Sequence, residues 1–102
     1  MGSRLKLQAE LEEILGSSNV YFQPPSSINL KYPCIIYNLS RTNAIRADNR
    51  IYKATNEYHV KHIFKSLENE KKDELLNHFL MISHDSRFIA DKLYNDEFTL
   101  FY

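Results

Sequence analysis

Two segments of the chain repeat apolar residues at the spacing of an amphipathic helix. The apolar stripe of the first segment, residues 4–15, consists of Leu7, Leu11, Ile14 and Leu15. Ser3 is a candidate N-cap for this helix, and Gly16 stands where a left-handed C-terminal residue is expected. Residues 69–82 show the same spacing, with their acidic residues toward the N-terminal end, as the helix dipole favours. The pattern therefore predicts two helices.

Five other segments have the apolar alternation or the β-branched and aromatic content of strands. Residues 20–23 form a short candidate that Pro24 ends, because proline lacks a backbone donor. Residues 32–40 are apolar on both faces, which is typical of a central strand covered on both sides. Residues 51–65 alternate over a length unusual for one strand and predict a half-exposed antiparallel strand. Residues 87–90 and 97–102 predict two short strands.

Residues 41–50 are polar and separate the two longest strand candidates. They include Arg41, Arg46 and Arg50 among Asn, Asp and Thr residues, a composition typical of a loop. Because the following strand is so long, we expect its first half to project beyond the sheet as a hairpin arm together with this loop. A projecting arm on a small domain usually contacts another molecule.

The order of these elements predicts one α+β domain. The order α-β-β-β-α-β-β predicts an antiparallel β-sheet flanked by two α-helices. A chain of 102 residues has the length of one domain, residues 1–102, with one modest core. Its apolar runs are too short to span a bilayer, so no membrane partner is expected.

The chain shows no pattern of residues that is typical of catalysis, a cofactor or a metal. His59 and His62 are three residues apart in a predicted strand, so their side chains point to opposite faces and cannot share one ion. The single cysteine, Cys34, lies in the most apolar strand and is expected to be buried rather than reactive. The aspartates near the last strands, Asp85, Asp91 and Asp96, are expected to form turns. We therefore predict a protein that is not an enzyme and binds no cofactor.

The arginines of residues 41–50 are the clearest candidate for a binding surface. Together with Tyr52 and Lys53, they could contact either nucleic-acid phosphates or an acidic protein surface. The formal net charge of zero favours the protein contact, because proteins that mainly neutralise phosphates are basic. The surplus of seven tyrosines agrees with a protein interface.

Several motifs give the chain a resemblance to a known family. These are NVYFQPP at residues 19–25, the Tyr32-Pro33 pair within KYPCIIY, and the ending that runs from SHDSRFIADKL to FTLFY. With them the chain resembles the small tail-completion or tail-terminator proteins of long-tailed bacteriophages over nearly its whole length. It departs from the family pattern at residues 65–69, KSLEN, where a turn containing proline is usual.

The resemblance implies a structural virion protein. It implies a ring, usually hexameric, that terminates the tail tube and joins the tail to the head connector. Its partners would be copies of itself, the tail-tube protein and a head-closure or connector protein, with DNA passing through the lumen without sequence-specific binding. Such a protein resides in the host cytoplasm during assembly and then in the tail or neck of the virion.

For such a ring we predict subunit contacts on the first helix, the 41–50 segment and the polar face of the long strand. The predicted interface residues are Arg41, Arg46, Arg50, Tyr52, Lys53, Glu57, His59 and Lys61. Two alternatives stay open at this point. One is a head-closure or neck adaptor of the same connector, and the other is a small module that contacts DNA.

Overall fold

The computed structural model describes residues 4–47 and 50–102, without the side chains of residues 42–47 and 50–55. The predicted N-cap, Ser3, lies outside the described residues. Two helices, five strands and a short 3-10 helix make up the fold. In chain order they are α1 (Arg4–Leu15), β1 (Val20–Phe22), β2 (Cys34–Ala47), β3 (Arg50–Phe64), the 3-10 turn (Leu67–Asn69), α2 (Lys72–His78), β4 (Ile82–Ala90) and β5 (Leu93–Phe101).

The strands form one mixed sheet in the order β1-β2-β3-β5-β4. β1 pairs with β2 in parallel, whereas the other three pairings are antiparallel. The α+β class is thus confirmed, but the prediction of an antiparallel sheet is wrong at this one pairing. The cause lies between β1 and β2, where the proline-containing connection returns the chain to the starting end of β1. Gln23, with a φ of 45°, ends β1, and its backbone N–H donates to the Tyr37 carbonyl at 3.0 Å.

The core lies between one face of the sheet and the two helices. α1 contributes the leucines of its predicted stripe, α2 contributes Leu75, and Phe79 follows at its C-terminal end. The sheet residues that meet them are Val20, Ile35, Tyr37, Tyr58, Val60, Phe98 and Leu100. Gln8 fixes α1 to this layer, because it accepts from the Tyr37 hydroxyl at 2.6 Å and donates to the Val20 carbonyl at 2.9 Å.

Gly16 ends α1 as expected. Its φ is +81°, and its N–H donates to the Glu12 carbonyl at 2.8 Å, so it is the left-handed residue that closes the helix. An added Cβ would meet no atom within 4 Å, so a substitution here acts through the backbone conformation alone.

Gly16→Ala should therefore lower the free energy of unfolding by about 1 kcal/mol, since an alanine is strained at positive φ. Gly16→Asn is the matched control and should lose less, because asparagine tolerates the left-handed region. Urea unfolding followed by circular dichroism measures both. Equal losses for the two variants would contradict the backbone explanation.

The second helix is shorter than predicted and the last two strands are longer. α2 ends at His78 because Phe79 has extended backbone angles, φ −99° and ψ 143°. Leu80 is fully exposed, and Ile82 already belongs to β4, where it pairs with Leu100 of β5. A two-residue turn at Asp91 and Lys92, both at positive φ, joins β4 to β5, as in a type I′ hairpin.

The predicted 41–50 loop is mostly strand, so that prediction is wrong. β2 continues to Ala47 and β3 begins at Arg50, and within this segment residues 48–49 lie outside the description. β1 pairs with β2 only from Ile35 to Tyr37, and β5 pairs with β3 only from Glu57 onward. Residues 41–47 and 50–55 therefore form a two-stranded extension, hereafter the arm. It accounts for the elongated shape, which measures 51 × 30 × 23 Å.

Candidate functional site

The predicted interface residues lie on the arm and on the sheet face opposite the helices, hereafter the open face. Glu57, His59 and Lys61 share this face of β3, whereas Tyr58 and Val60 between them are buried in the core. The alternation predicted for β3 is confirmed there. The other four residues predicted on β2 and β3 belong to the arm, and their side chains lie outside the description: Arg46, Arg50, Tyr52 and Lys53.

Two ion pairs cross the open face. The Arg41 Nε atom lies 3.1 Å from a carboxylate oxygen of Glu57, at the base of the arm. Farther along β3, the Lys61 ammonium lies 3.7 Å from Glu97 of β5. Both pairs are partly exposed, so each adds less than about 1 kcal/mol to stability. The carboxylates of Glu57 and Glu97 on this face are thus each paired with a basic side chain of the same subunit.

A shallow cavity interrupts the open face beside these charges. Its volume is about 240 Å³, and its lining includes Ile36, Asn38, His59, Lys61 and Glu97. The mixture of one apolar wall with amide, imidazole and charged groups is typical of the rim of a protein interface. His59 is exposed here, while His62 is buried on the opposite face of β3, as their spacing predicted.

Sequence reasoning missed a charged cluster at the other face of the sheet, where β4, β5 and the segment before α2 meet. Asp96 of β5 has no exposed surface, and it accepts two hydrogen bonds from Arg87 of β4, at 2.6 and 2.8 Å. His84 lies 3.1 Å from the same carboxylate, and Arg87 also donates to Glu70 at 2.6 Å. The prediction that Asp96 forms a turn is therefore wrong, whereas Asp91 does lie in one.

The hydrogen bonds within the cluster favour the charged forms of Asp96 and Arg87. Burial alone raises the pKa of Asp96, but the hydrogen bonds from Arg87 and His84 outweigh burial and hold that pKa below its usual value. The same hydrogen bond to Asp96 raises the pKa of Arg87 further. Both oxygens of Asp96 have donors, so this arrangement joins β4 to β5 and to Glu70 rather than presenting a free base.

His62 adjoins this cluster as the cross-strand neighbour of Asp96. Its ring is fully buried and stacks on Phe64, with centroids 4.6 Å apart. Neither ring nitrogen has a hydrogen-bond partner among the described residues. Burial lowers the pKa of His62 to about 4, so the ring is neutral at physiological pH.

A second polar contact lies where α1, α2 and the end of β5 meet. Glu10 of α1 accepts from the Tyr102 hydroxyl and lies 2.8 Å from His78 of α2. Burial and the Glu10 hydrogen bond raise the pKa of Tyr102 to about 12. This contact holds the two helices together over the sheet.

Apolar side chains are exposed along β4 and just before it. They include Leu80 and Met81 before the strand and Phe88 and Ile89 near its end. A cavity lined by Met81, Thr99 and Phe101 lies at the start of the strand. β4 is also an edge strand of the sheet, so its exposed side chains accompany an exposed backbone edge.

Comparison with known proteins assigns the chain to no family. No family model, no curated protein and no solved structure matches it. The function is therefore argued from the arm, the open face and the edge strand. Across the described ranges, no helix is long and apolar enough to cross a bilayer, and no three His, Cys, Asp or Glu side chains are grouped to hold a metal.

Cys34 behaves as the sequence indicated. It has no exposed surface, and burial raises the pKa of its thiol to about 11. A thiol with so high a pKa is protonated at neutral pH and is a poor nucleophile.

Proposed function

We propose that this chain is a ring-forming structural protein of a bacteriophage virion, with a fold of the tail-terminator type. In this proposal the ring terminates the tail tube and joins the tail to the head connector, with DNA passing through its lumen. The protein would assemble in the host cytoplasm and remain in the tail or neck of the virion. The motif resemblance supports the proposal from the sequence, and the arm supports it from the structure.

The arm is the observation that carries the proposal. A two-stranded ribbon is only marginally stable in water unless a third strand or a helix packs against it. Over residues 41–47 and 50–55, β2 and β3 pair with each other and with no other described strand. A contact with another molecule would supply the missing packing, and a neighbouring subunit is always present in a ring.

The distribution of charge supports contact between identical subunits. Residues 41–55 carry four basic side chains and one acidic side chain, a net charge of +3. Residues 56–102 carry six basic and nine acidic side chains, a net charge of −3. A basic arm on each copy can therefore lie against an acidic surface of the next copy, which is the two-patch contact that a closed ring requires.

The proposal predicts that charge reversal in the arm prevents assembly. Arg46→Glu combined with Arg50→Glu should reduce ring formation and tail joining at least about tenfold, because like charges repel across the contact. Native mass spectrometry and electron microscopy of the purified protein, alone and with tail-tube protein, measure both. Assembly and joining at the wild-type level would refute the role of the arm.

A matched control separates the position of the charges from their number. Lys31→Glu combined with Lys65→Glu makes the same change in net charge at two exposed residues outside the arm. This control should assemble normally. If wild type never forms rings and instead binds duplex DNA with an affinity that falls steeply with salt, the DNA-contacting alternative replaces the proposal.

A further inference from the structure

Each edge of the sheet has a stretch of strand whose outward backbone groups pair with no other described strand, and the two stretches are similar in length. On one side β4 is the edge strand and is nine residues long. On the other side β1 covers β2 only as far as Tyr37, and the Gln23 side chain accepts from the next outward amide, that of Leu39. From Arg41 to Ala47, no described strand pairs with the outer edge of β2.

The free amides of β4 can be identified from its pairing with β5. The Phe101 N–H donates to the Met81 carbonyl at 2.9 Å, which makes Ile82 and Leu100 a non-hydrogen-bonded pair whose amides point away from each other. At the other end, the turn at residues 91–92 makes Ala90 and Leu93 the hydrogen-bonded pair that closes the hairpin. By alternation from that pair, the amides of Ile89 and Arg87 point outward.

Strand direction makes the two free edges compatible. β2, β3, β5 and β4 are joined by three successive antiparallel pairings, so β4 runs opposite to β2. When a second copy continues the sheet in the same orientation, β4 of the first copy therefore meets β2 of the second in antiparallel fashion. The outer edge of β3 in the arm faces the same way as β4, so it cannot join this continuation.

Charge favours the same pairing. The β4–β5 hairpin, residues 82–101, has two basic and four acidic side chains, a net charge of −2, whereas residues 41–55 have a net charge of +3. The exposed apolar side chains of Phe88 and Ile89 lie on β4 itself and would be covered by the added strand. Both edges belong to every copy, so the contact is head-to-tail and can close into a ring.

We infer that β4 of each subunit pairs with the arm segment of β2, residues 41–47, of a neighbouring copy, so that the sheet continues from subunit to subunit. This inference rests on the proposed ring and states how its subunits join. Main-chain hydrogen bonds supply the contact, and the opposite charges of arm and hairpin set its register, as in other strand additions.

Ile89→Pro tests the inference, because proline removes one outward N–H and no hydrogen bond to β5. At an edge strand, proline is tolerated within the subunit but prevents an added strand from pairing. Ile89→Ala is the matched control, since it shortens the same side chain and keeps the N–H. Native mass spectrometry across a concentration series should place the assembly midpoint of the proline variant at least about tenfold above that of the alanine control.

Hydrogen exchange on the wild-type protein tests the same contact without a substitution. Assembly should slow exchange at least about tenfold at the amides of Arg87 and Ile89 and at those amides of residues 41–47 that do not donate to β3. The amides of Phe88 and Ala90, which already bond to β5, should change little. Circular dichroism of the unassembled proline variant confirms that its fold is intact.

The outcomes separate the inference from the proposed function. Suppose that the wild type forms rings, that the proline variant assembles as well as the alanine control, and that the β4 amides stay unprotected. The proposed contact is then wrong, whereas the proposed ring is not affected. If the wild type assembles neither alone nor on tail-tube protein, both the proposed function and the contact are wrong.

Discussion

Asp96→Ala should lower the free energy of unfolding by about 3–5 kcal/mol, the largest loss that we expect from a single charged residue of this chain. Removing one partner of a buried ion pair costs this much because the remaining charge is left uncompensated. Asp96 has no exposed surface, and its loss deprives Arg87 of two hydrogen bonds and His84 of one. Urea unfolding at pH 7, followed by circular dichroism, measures the change.

Asp85→Ala is the control for this prediction. Asp85 is an exposed aspartate of β4 whose carboxylate accepts from the hydroxyls of Thr99 and Ser83, at 2.6 and 3.2 Å. Its removal should cost only about 1 kcal/mol, because water replaces the lost bonds. If the alanine variant of Asp96 is too unstable to purify, Asp96→Asn keeps an acceptor for Arg87 and should lie between the two. Equal losses at Asp85 and Asp96 would contradict the structural role of the cluster.

His62 should make the protein lose stability as the pH falls from about 6.5 to about 4. Burial lowers its pKa in the folded state to about 4, whereas the unfolded chain has the ordinary value near 6.5. In this range the unfolded state binds a proton that the folded state does not, so protonation favours unfolding. The shift corresponds to a loss of about 3 kcal/mol across the range, at about 1.4 kcal/mol per unit of pKa.

His62→Phe isolates this contribution. Phenylalanine has a similar ring for stacking on Phe64 and cannot be protonated, so the variant should keep its stability between pH 6.5 and pH 4.5. At pH 7 it should be at least as stable as wild type, because the two ring nitrogens without partners are removed. Urea unfolding across a pH series gives both results. A parallel decline in the two proteins would show that His62 is not the cause.

Asp96 contributes in a different pH range, which keeps the two effects apart. The pKa of Asp96 is lowered in the folded state, so its stabilisation is present above its unfolded value of about 3.9 and is lost as the pH falls through the folded value. The decline above pH 4.5 therefore belongs to His62, and the decline below pH 4 includes Asp96.

The parts of the fold that could be predicted are those in which one face meets the core. The leucine stripe of α1 is buried as predicted, and the alternation of β3 near Tyr58 and Val60 survives intact. The β3 half of the arm was predicted as strand, but the β2 half, residues 41–47, was not, because a strand without a covered face need not alternate polar and apolar residues. Its two arginines and polar neighbours have the composition of a loop although β2 continues through them.

The charged cluster around Asp96 could not be predicted from the sequence for a different reason. Asp96, Arg87 and His84 are nine to twelve residues apart in sequence, and only the register of β4 against β5 brings them together. That register shifts at a bulge between His84 and Ser86, where one extra residue, Asp85, stands in β4. A shift of one residue reverses which face every later side chain occupies, and no local pattern in the sequence predicts where the bulge lies. Helix α2 was predicted too long because Leu80 and Ile82 continue the helical spacing by chance.

The bulge at Asp85 also determines which insertions and deletions β4 can accept without turning its core side chains outward. Residues three apart in a regular strand point to opposite faces, yet His84 and Arg87 both reach Asp96 because the extra residue lies between them. Ile82 and Arg87 are five residues apart, so in a strand without the bulge they would point to opposite faces; the unpaired residue lets Ile82 face the core while Arg87 reaches Asp96. Removal of Asp85 alone would restore a regular strand with every face kept, whereas an insertion or deletion elsewhere in β4 would exchange the inside and the outside of part of the strand.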